Sequence, residues 1–79
     1  MRIQVLGTGC PKCRETLARV WQALDALGIG AEVEKVESIQ DIAAFGIVAT
    51  PAVAIDGAVR ISGRVPTIEE ITRILRNED

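Results

Sequence analysis

The first 36 residues constrain the fold of this chain most, because the spacing of their apolar residues changes twice. Residues 3–6 form a short apolar run that predicts a strand, and a glycine-rich turn follows at residues 7–9. From Pro11 apolar residues recur at steps of three and four until Gly28, which predicts a helix. Residues 31–36 predict a second strand. Two strands that flank a helix pair in parallel through a right-handed crossover, so the chain begins with a β-α-β unit.

The first helix presents one apolar stripe, and the two aromatic residues of the chain are predicted to be core residues. The stripe consists of Cys13, Leu17, Val20, Trp21, Leu24 and Leu27. Trp21 is assigned to the core because it lies on this stripe. Phe45, in the next helical segment, is assigned to the core as well.

The second half of the chain adds a short helix, a hairpin and a last helix. Residues 38–46 predict the short helix, and residues 67–75 predict a helix that begins with a capping box. Between them, strands at residues 52–55 and 58–61 are separated by an Asp-Gly pair, the strongest short hairpin signal. The predicted order is therefore β-α-β-α-β-β-α. It corresponds to an α/β domain whose mixed four-stranded sheet is covered by helices on both faces.

Length and composition narrow the functional classes. The chain has 79 residues, 48% of them hydrophobic, which is enough for one domain spanning residues 1–79. The net charge is −2 and no two Lys or Arg residues are adjacent, so we expect no nucleic-acid partner. The apolar run near the start is too short for a secretory signal or a membrane span. We therefore expect a cytoplasmic protein without a membrane partner.

A disulfide between Cys10 and Cys13, the two cysteines of the chain, would stabilise the fold little, because closing so short a ring removes little entropy from the unfolded chain. Cys10 is predicted at the cap of the first helix, where free backbone N–H groups and the helix dipole favour a thiolate. Pro11 suits the first helical position. Lys12 either tunes the thiolate with its charge or is simply a solvated residue at a helix start.

The spacing of the two cysteines predicts their roles. Cys13 lies one turn further along and begins the apolar stripe, so its thiol is expected to be shielded and less readily ionised. Residues three apart on a helix are neighbours, so a disulfide between these cysteines can close with little backbone movement. Cys10 is therefore the predicted nucleophile, and Cys13 is the predicted resolving cysteine that attacks the mixed disulfide.

Topology brings further residues towards this pair. If the strand at residues 52–55 runs antiparallel to the first strand, Thr50 and Pro51 lie at the edge where Cys10 emerges. The strand at residues 58–61 then ends at the same edge, which places Gly63 and Arg64 close by. For Arg64 an ordinary surface position before a helix is the alternative.

These segments together resemble a family of glutaredoxin-sized, minimal thioredoxin-like proteins called redox-active disulfide proteins. The resemblance is carried by Cys10-Pro11-Lys12-Cys13, Thr50-Pro51-Ala52, Asp56-Gly57 and Gly63-Arg64-Val65-Pro66. It implies a thioredoxin-like fold and a thiol–disulfide oxidoreductase whose only redox group is the Cys10–Cys13 disulfide, with no cofactor and no metal. It also implies a cis Thr50–Pro51 bond, a Thr50 backbone that pairs with bound substrate, and a match of Gly63 and Arg64 to the region where glutaredoxins hold glutathione.

The partners that the resemblance implies are disulfide-containing proteins and a reducing partner, either a thioredoxin-reductase-like donor or glutathione. One departure from thioredoxin concerns the proton of Cys13. The buried carboxylate that thioredoxin carries six residues before its nucleophile falls on Gln4 here. Deprotonation of Cys13 must then use water, substrate or another group.

Two other functions are consistent with a CxxC pair. The first is a soft-metal carrier, because two thiolates suit Cu(I). Small heavy-metal-associated domains present their cysteines in a similar loop, but they run βαββαβ and end in a strand. Zinc is disfavoured, because a tetrahedral site needs four ligands and the chain has two Cys and no His. The second alternative is a non-catalytic interaction module built on the same groove.

Overall fold

A computed structural model describes residues 1–47 and 49–76 of the chain. The elements are β1 (Arg2–Leu6), α1 (Pro11–Leu27), β2 (Glu32–Val36), α2 (Ile39–Ala44), β3 (Ala52–Ile55), β4 (Ala58–Ser62) and α3 (Ile68–Leu75). This order confirms the predicted β-α-β-α-β-β-α sequence of elements. Residues 77–79 of the predicted domain lie outside the described residues, so its boundaries stay a prediction. No helix in the described part of the chain is both long enough and apolar enough to cross a membrane.

The four strands form one mixed sheet in the order β2-β1-β3-β4. β1 pairs in parallel with β2 and antiparallel with β3, and β3 pairs antiparallel with β4. The ends of β1, β2 and β4 therefore meet the beginning of β3 at one edge of the sheet. This edge also receives the start of α1, as the sequence predicted.

The hairpin between β3 and β4 is closed by Asp56 and Gly57, which both have positive φ angles, 49° and 88°. Two positive φ angles in succession are the requirement of the hairpin turn that Asp-Gly favours. The turn is tied to the start of β1, because the Asp56 N–H donates to the Arg2 carbonyl at 2.7 Å. The Arg2 N–H in turn donates to Asp56 Oδ1 at 2.9 Å.

Helices cover both faces of the sheet. Successive strand residues point to opposite sides, so β1 and β3 each contribute apolar side chains to both helix layers. On one face, β1 and β3 pack against α1 and α3 through Ile3, Val5, Val20, Ala23, Leu24, Val53, Ile71 and Leu75. On the other face, α2 contributes Ile42 to a smaller cluster with Leu6, Val36, Ala52 and Ala54. Phe45 packs against this second cluster and is half-buried, which agrees with the predicted core position.

The prediction for Trp21 is wrong, because 52% of this residue is exposed. Each step of four residues along a helix advances the side chain by about 40° around the axis. Two such steps separate Cys13 from Trp21, so the indole lies about 80° away from the Cys13 direction. Val20 and Leu24 stay within the buried face, and Trp21 falls outside it.

Candidate active site

Cys10 is the N-cap residue of α1, as the sequence predicted. Its backbone is extended, with φ −68° and ψ 165°, and Pro11 follows at the start of the helix. The Cys10 carbonyl accepts the first helical hydrogen bond, from the Arg14 N–H at 3.0 Å. The Cys10 sulfur accepts from the Cys13 N–H at 3.4 Å, so it takes the place that a serine or aspartate oxygen occupies in most caps.

The two sulfur atoms are in direct contact, 2.7 Å apart, and both cysteines are free thiols. The Cys13 thiol and then the Cys13 N–H lower the pKa of Cys10, because both hydrogen bonds stabilise its thiolate. Cys13 is only 6% exposed. Burial raises the pKa of Cys13, and its hydrogen bond to Cys10 raises it further. The two cysteines therefore differ in ionisation in the direction that the sequence predicted.

Lys12 contributes to this site through its backbone. Its N–H is among the groups that lower the pKa of Cys10, after the contributions of Cys13. Its carbonyl accepts from the buried Thr16 hydroxyl at 2.8 Å, which belongs to the first turns of the helix. The side chain of Lys12 is exposed. The contribution of Lys12 to the lowered pKa of Cys10 thus comes through its backbone N–H at the helix start.

Gly7 lies directly against Cys13, a contact that the sequence did not predict. A Cβ atom at Gly7 would overlap the Cys13 sulfur and lie 2.9 Å from the Cys13 Cβ. The backbone of Gly7 is held in place, because its N–H donates to the Val36 carbonyl at 2.9 Å. The buried Cys13 thiol can therefore pack against the end of β1 only because residue 7 has no side chain. The glycine directly after β1 was the available signal for this contact.

The loop before β3 reaches the same place. The Thr50–Pro51 peptide bond is cis, which confirms the conformation that the family resemblance implied. The Thr50 Cβ lies 4.0 Å from the position of a Cβ on Gly7, so Thr50 borders the Cys13 contact. Pro51 is fully buried, whereas Thr50 is exposed. Strand order thus brings these two residues to the cysteines, as predicted.

Gly63 lies at the same edge of the sheet as Pro51, whereas the Arg64 side chain binds to α3. The Gly63 N–H donates to the Pro51 carbonyl at 2.9 Å. Arg64 donates from Nη1 to Glu70 Oε1 at 2.7 Å and from Nη2 to Glu70 Oε2. Glu70 also closes the predicted capping box of α3 with Thr67. Arg64 and the Thr67 N–H lower the pKa of Glu70 to about 2. Arg64 therefore has a structural partner, which the sequence did not indicate.

Gln4 occupies the strand position where a buried carboxylate was considered, and it points away from the cysteines. Its side chain is buried, and Oε1 accepts from the Gly57 N–H at 3.1 Å. Gly57 belongs to the hairpin turn at the opposite end of the sheet. Gln4 therefore fastens the hairpin and offers no proton acceptor to Cys13.

In the described part of the site, the two thiols are the groups that suit a soft metal. Within residues 1–47 and 49–76, no three His, Cys, Asp or Glu side chains lie together as a metal group. The described elements end with α3 and not with a strand, unlike the βαββαβ order considered for soft-metal carriers. The geometry is that of a dithiol at a helix start beside a cis-proline loop.

Comparison with known proteins agrees with this geometry. A family profile described as a thioredoxin domain matches residues 1–76. The chain belongs to the thioredoxin family. It is 43% identical over 75 residues to a thioredoxin of Methanocaldococcus jannaschii, covering 95% of this chain and 86% of the relative. It is also 43% identical over 75 residues to a thioredoxin of Methanothermobacter thermautotrophicus, covering 95% of this chain and 97% of that relative.

A second protein of Methanothermobacter thermautotrophicus, described as a probable thioredoxin, is 33% identical over 72 residues. That match covers 87% of this chain and 84% of the relative. Thioredoxins are thiol–disulfide oxidoreductases, so the membership confirms both the predicted fold and the predicted class of enzyme. In this chain the two sulfurs lie at the start of α1, and the sheet behind them has four strands.

Proposed function

We propose that this thioredoxin-family protein reduces disulfides with Cys10 as nucleophile and Cys13 as resolving thiol. The observation that carries the proposal is the contact between the two sulfurs at the start of α1, 2.7 Å apart. One sulfur is partly exposed and the other is buried. The exposed sulfur has the lowered pKa and the buried one the raised pKa, so a single thiolate forms on the side that substrate can reach.

The reaction proceeds in two exchanges. The Cys10 thiolate attacks one sulfur of a substrate disulfide, and the bond from Cys10 to that sulfur forms as the substrate bond breaks. The released substrate thiolate takes a proton from solvent. Cys13 then loses its proton and attacks the Cys10 sulfur, which closes the Cys10–Cys13 disulfide and releases the second substrate thiol. Two electrons pass from the two cysteine sulfurs to the substrate disulfide.

Substrate binding is assigned to the edge where β3 begins. Thr50 is exposed there beside the cysteine pair, and its backbone is assigned to pair with an extended substrate segment like an added strand. Gly63 borders the same loop through its hydrogen bond to Pro51 and has φ +85°. Arg64, engaged with Glu70, serves here as a rim contact for substrate and as the anchor of α3.

The partners proposed are disulfide-containing proteins in the cytoplasm. The oxidised protein is returned to the dithiol by a thioredoxin-reductase-like donor or by glutathione. Assaying reduction of the Cys10–Cys13 disulfide with each donor in turn separates these two. A Cu(I) carrier is the rival that the sequence left open, and the order of the described elements does not support it.

The test is a trapping experiment with Cys13→Ser. This variant keeps the nucleophile and lacks the resolving thiol, so we expect Cys10 to accumulate stable mixed disulfides with protein partners. Cys10→Ser is the matched control, because it keeps one cysteine in the same turn of helix and lacks the nucleophile. Non-reducing electrophoresis followed by mass spectrometry measures the adducts. Equal capture by both variants, or none by Cys13→Ser, contradicts the assigned roles.

A further inference from the structure

The second exchange needs a proton acceptor for a buried thiol, and the usual strand position is occupied by Gln4, which points to the hairpin. Beside Cys13 the structure contains a cavity of about 130 Å³, here called the Cys13 cavity. Its lining includes Val5, Gly7, Cys13, Leu17, Lys35 and Glu37. Since one water occupies about 30 Å³ of liquid volume, this cavity has room for several water molecules.

Glu37 is placed at this cavity by the sheet. It follows the last residue of β2, Val36, whose carbonyl accepts from the Gly7 N–H at 2.9 Å. Parallel pairing thus puts Glu37 at the same edge as the cysteine turn. Glu37 Oε2 lies 3.6 Å from the position that a Cβ on Gly9 would take, so the carboxylate rests against the turn just before Cys10.

The lining of the Cys13 cavity leaves a single candidate for proton acceptance. Its ionisable side chains are those of Cys13, Arg14, Lys35 and Glu37, and Cys10 lies against Cys13 from the cap. Charged lysine and arginine side chains carry no acceptor site. Among the described residues that line the cavity, Glu37 is therefore the one carboxylate. Glu37 is an exposed residue, so a proton that reaches its carboxylate can pass on to solvent.

We propose that Glu37 accepts the proton of Cys13, through water in the Cys13 cavity, when the mixed disulfide on Cys10 is resolved. This inference rests on the proposed function and names the group that its second exchange requires. The proton leaves the Cys13 sulfur for Glu37 as the Cys13 thiolate bonds to the Cys10 sulfur. The bond from Cys10 to the substrate sulfur breaks, the substrate leaves as a thiolate, and Glu37 releases its proton to solvent.

Removing the Glu37 carboxylate has opposite effects on the rate of the resolution step in two cases, depending on whether Glu37 acts only through its charge or accepts the proton. A negative charge near Cys13 disfavours its thiolate, so neutralising Glu37 would lower the pKa of Cys13 and speed the resolution step. Proton acceptance predicts that the same change slows it. The sign of the effect therefore separates the two roles.

The experiment follows the reduced protein with equimolar 5,5′-dithiobis(2-nitrobenzoate) in a stopped-flow instrument. The first thionitrobenzoate is released when Cys10 attacks, and the second when Cys13 displaces it from Cys10. For Glu37→Gln at pH 7 we expect a first phase that is not slowed and a second phase slowed about tenfold, below the range for a base that contacts its substrate directly. The deficit is expected to close at high pH, where Cys13 ionises without assistance.

Two variants serve as controls. Glu34→Gln removes an exposed carboxylate from β2 that does not line the Cys13 cavity, and wild-type kinetics are expected. Glu37→Asp keeps a carboxylate and is expected to retain more of the second phase than Glu37→Gln. An unchanged or faster second phase in Glu37→Gln overturns the inference, as does equal slowing of both phases. Absence of both phases in the wild-type protein would instead contradict the proposed function, and this inference with it.

Discussion

At the scale of single residues, Cys10 owes its acidity to its neighbour in the cap. Its sulfur lies 2.7 Å from the Cys13 sulfur and 3.4 Å from the Cys13 nitrogen. The Cys13 thiol is the largest influence that lowers the pKa of Cys10, and the backbone N–H groups follow. The proposed resolving cysteine therefore also lowers the pKa of the proposed nucleophile. Exposure of Cys10 and burial of Cys13 then decide which sulfur a substrate meets first.

This dependence predicts a shift in the alkylation profile of Cys10. Removing the Cys13 thiol with Cys13→Ala is expected to raise the pKa of Cys10 towards the ordinary cysteine value, because the strongest stabilising hydrogen bond is lost. Iodoacetamide labelling at pH 6 should then slow several-fold, since the thiolate fraction falls about tenfold per pH unit below the pKa. Cys13→Ser, which keeps an O–H donor, is the matched control. A profile for Cys13→Ala identical to that of the wild type would contradict this account.

At the scale of secondary-structure elements, the start of α3 is organised around Glu70. The carboxylate accepts from the Thr67 N–H at 2.9 Å and pairs with both terminal nitrogens of Arg64. This arrangement closes the capping box and fastens the segment after β4 to the helix. It also places Arg64 in a defined position at the rim of the proposed substrate site.

The lowered pKa of Glu70, about 2, predicts how this element responds to acid. A depressed carboxyl pKa contributes stability that is complete above the unfolded value, about 4.3, and is lost as the pH falls towards 2. Glu70→Gln is expected to lower the free energy of unfolding at pH 7 by about 1 kcal/mol or less, because solvent screens the pair. The difference from the wild type should shrink between pH 4.5 and 2.

Urea unfolding at pH 7, 4 and 2.5 measures this effect. Glu69→Gln is the control, because it removes an exposed carboxylate from the same first turn without touching Arg64. A loss in Glu70→Gln that stays constant across the three pH values would show that the charge of Glu70 is not responsible.

At the scale of the whole molecule, the sheet brings together segments that are far apart in sequence. The end of β1, the residue after β2 and the loop before β3 all surround Cys13. Gly7 is the point where they meet, since its missing side chain makes room for the buried thiol and its N–H binds Val36. The active-site geometry is therefore a property of strand order as much as of the CxxC segment.

Gly7→Ala tests this arrangement. The added methyl would overlap the Cys13 sulfur, so either α1 or the end of β1 must move. We expect the free energy of unfolding to fall by about 1–3 kcal/mol, as overpacked sites do, and closure of the Cys10–Cys13 disulfide to weaken. Urea unfolding and equilibration with glutathione measure the two effects.

Gly30→Ala is the matched control for this prediction, because a Cβ at Gly30 would have no neighbour within 4 Å. It is expected to leave both quantities unchanged. Equal behaviour of the two alanine variants would mean that Cys13 does not depend on the close approach of Gly7.

Much of the fold was predictable, because local chemistry determines it. The Asp-Gly pair specified the hairpin, the capping box specified the start of α3, and Pro11 with Gly28 bounded α1. Trp21 was misplaced because steps of four drift around a helix, and only packing shows where the buried face ends. Arg64 was recognised as a residue near the site, but its pairing with Glu70 depends on how α3 turns back after β4.

The sequence alone determined the order of elements and the chemistry of Cys10 as a helix cap, because capping, turn formation and apolar spacing act over a few residues. Tertiary structure alone decided what surrounds Cys13. The approach of Gly7 to Cys13 and the placement of Glu37 at the Cys13 cavity arise from pairing between β1 and β2. Such pairings join residues tens of positions apart, and no local pattern encodes the distance between their side chains.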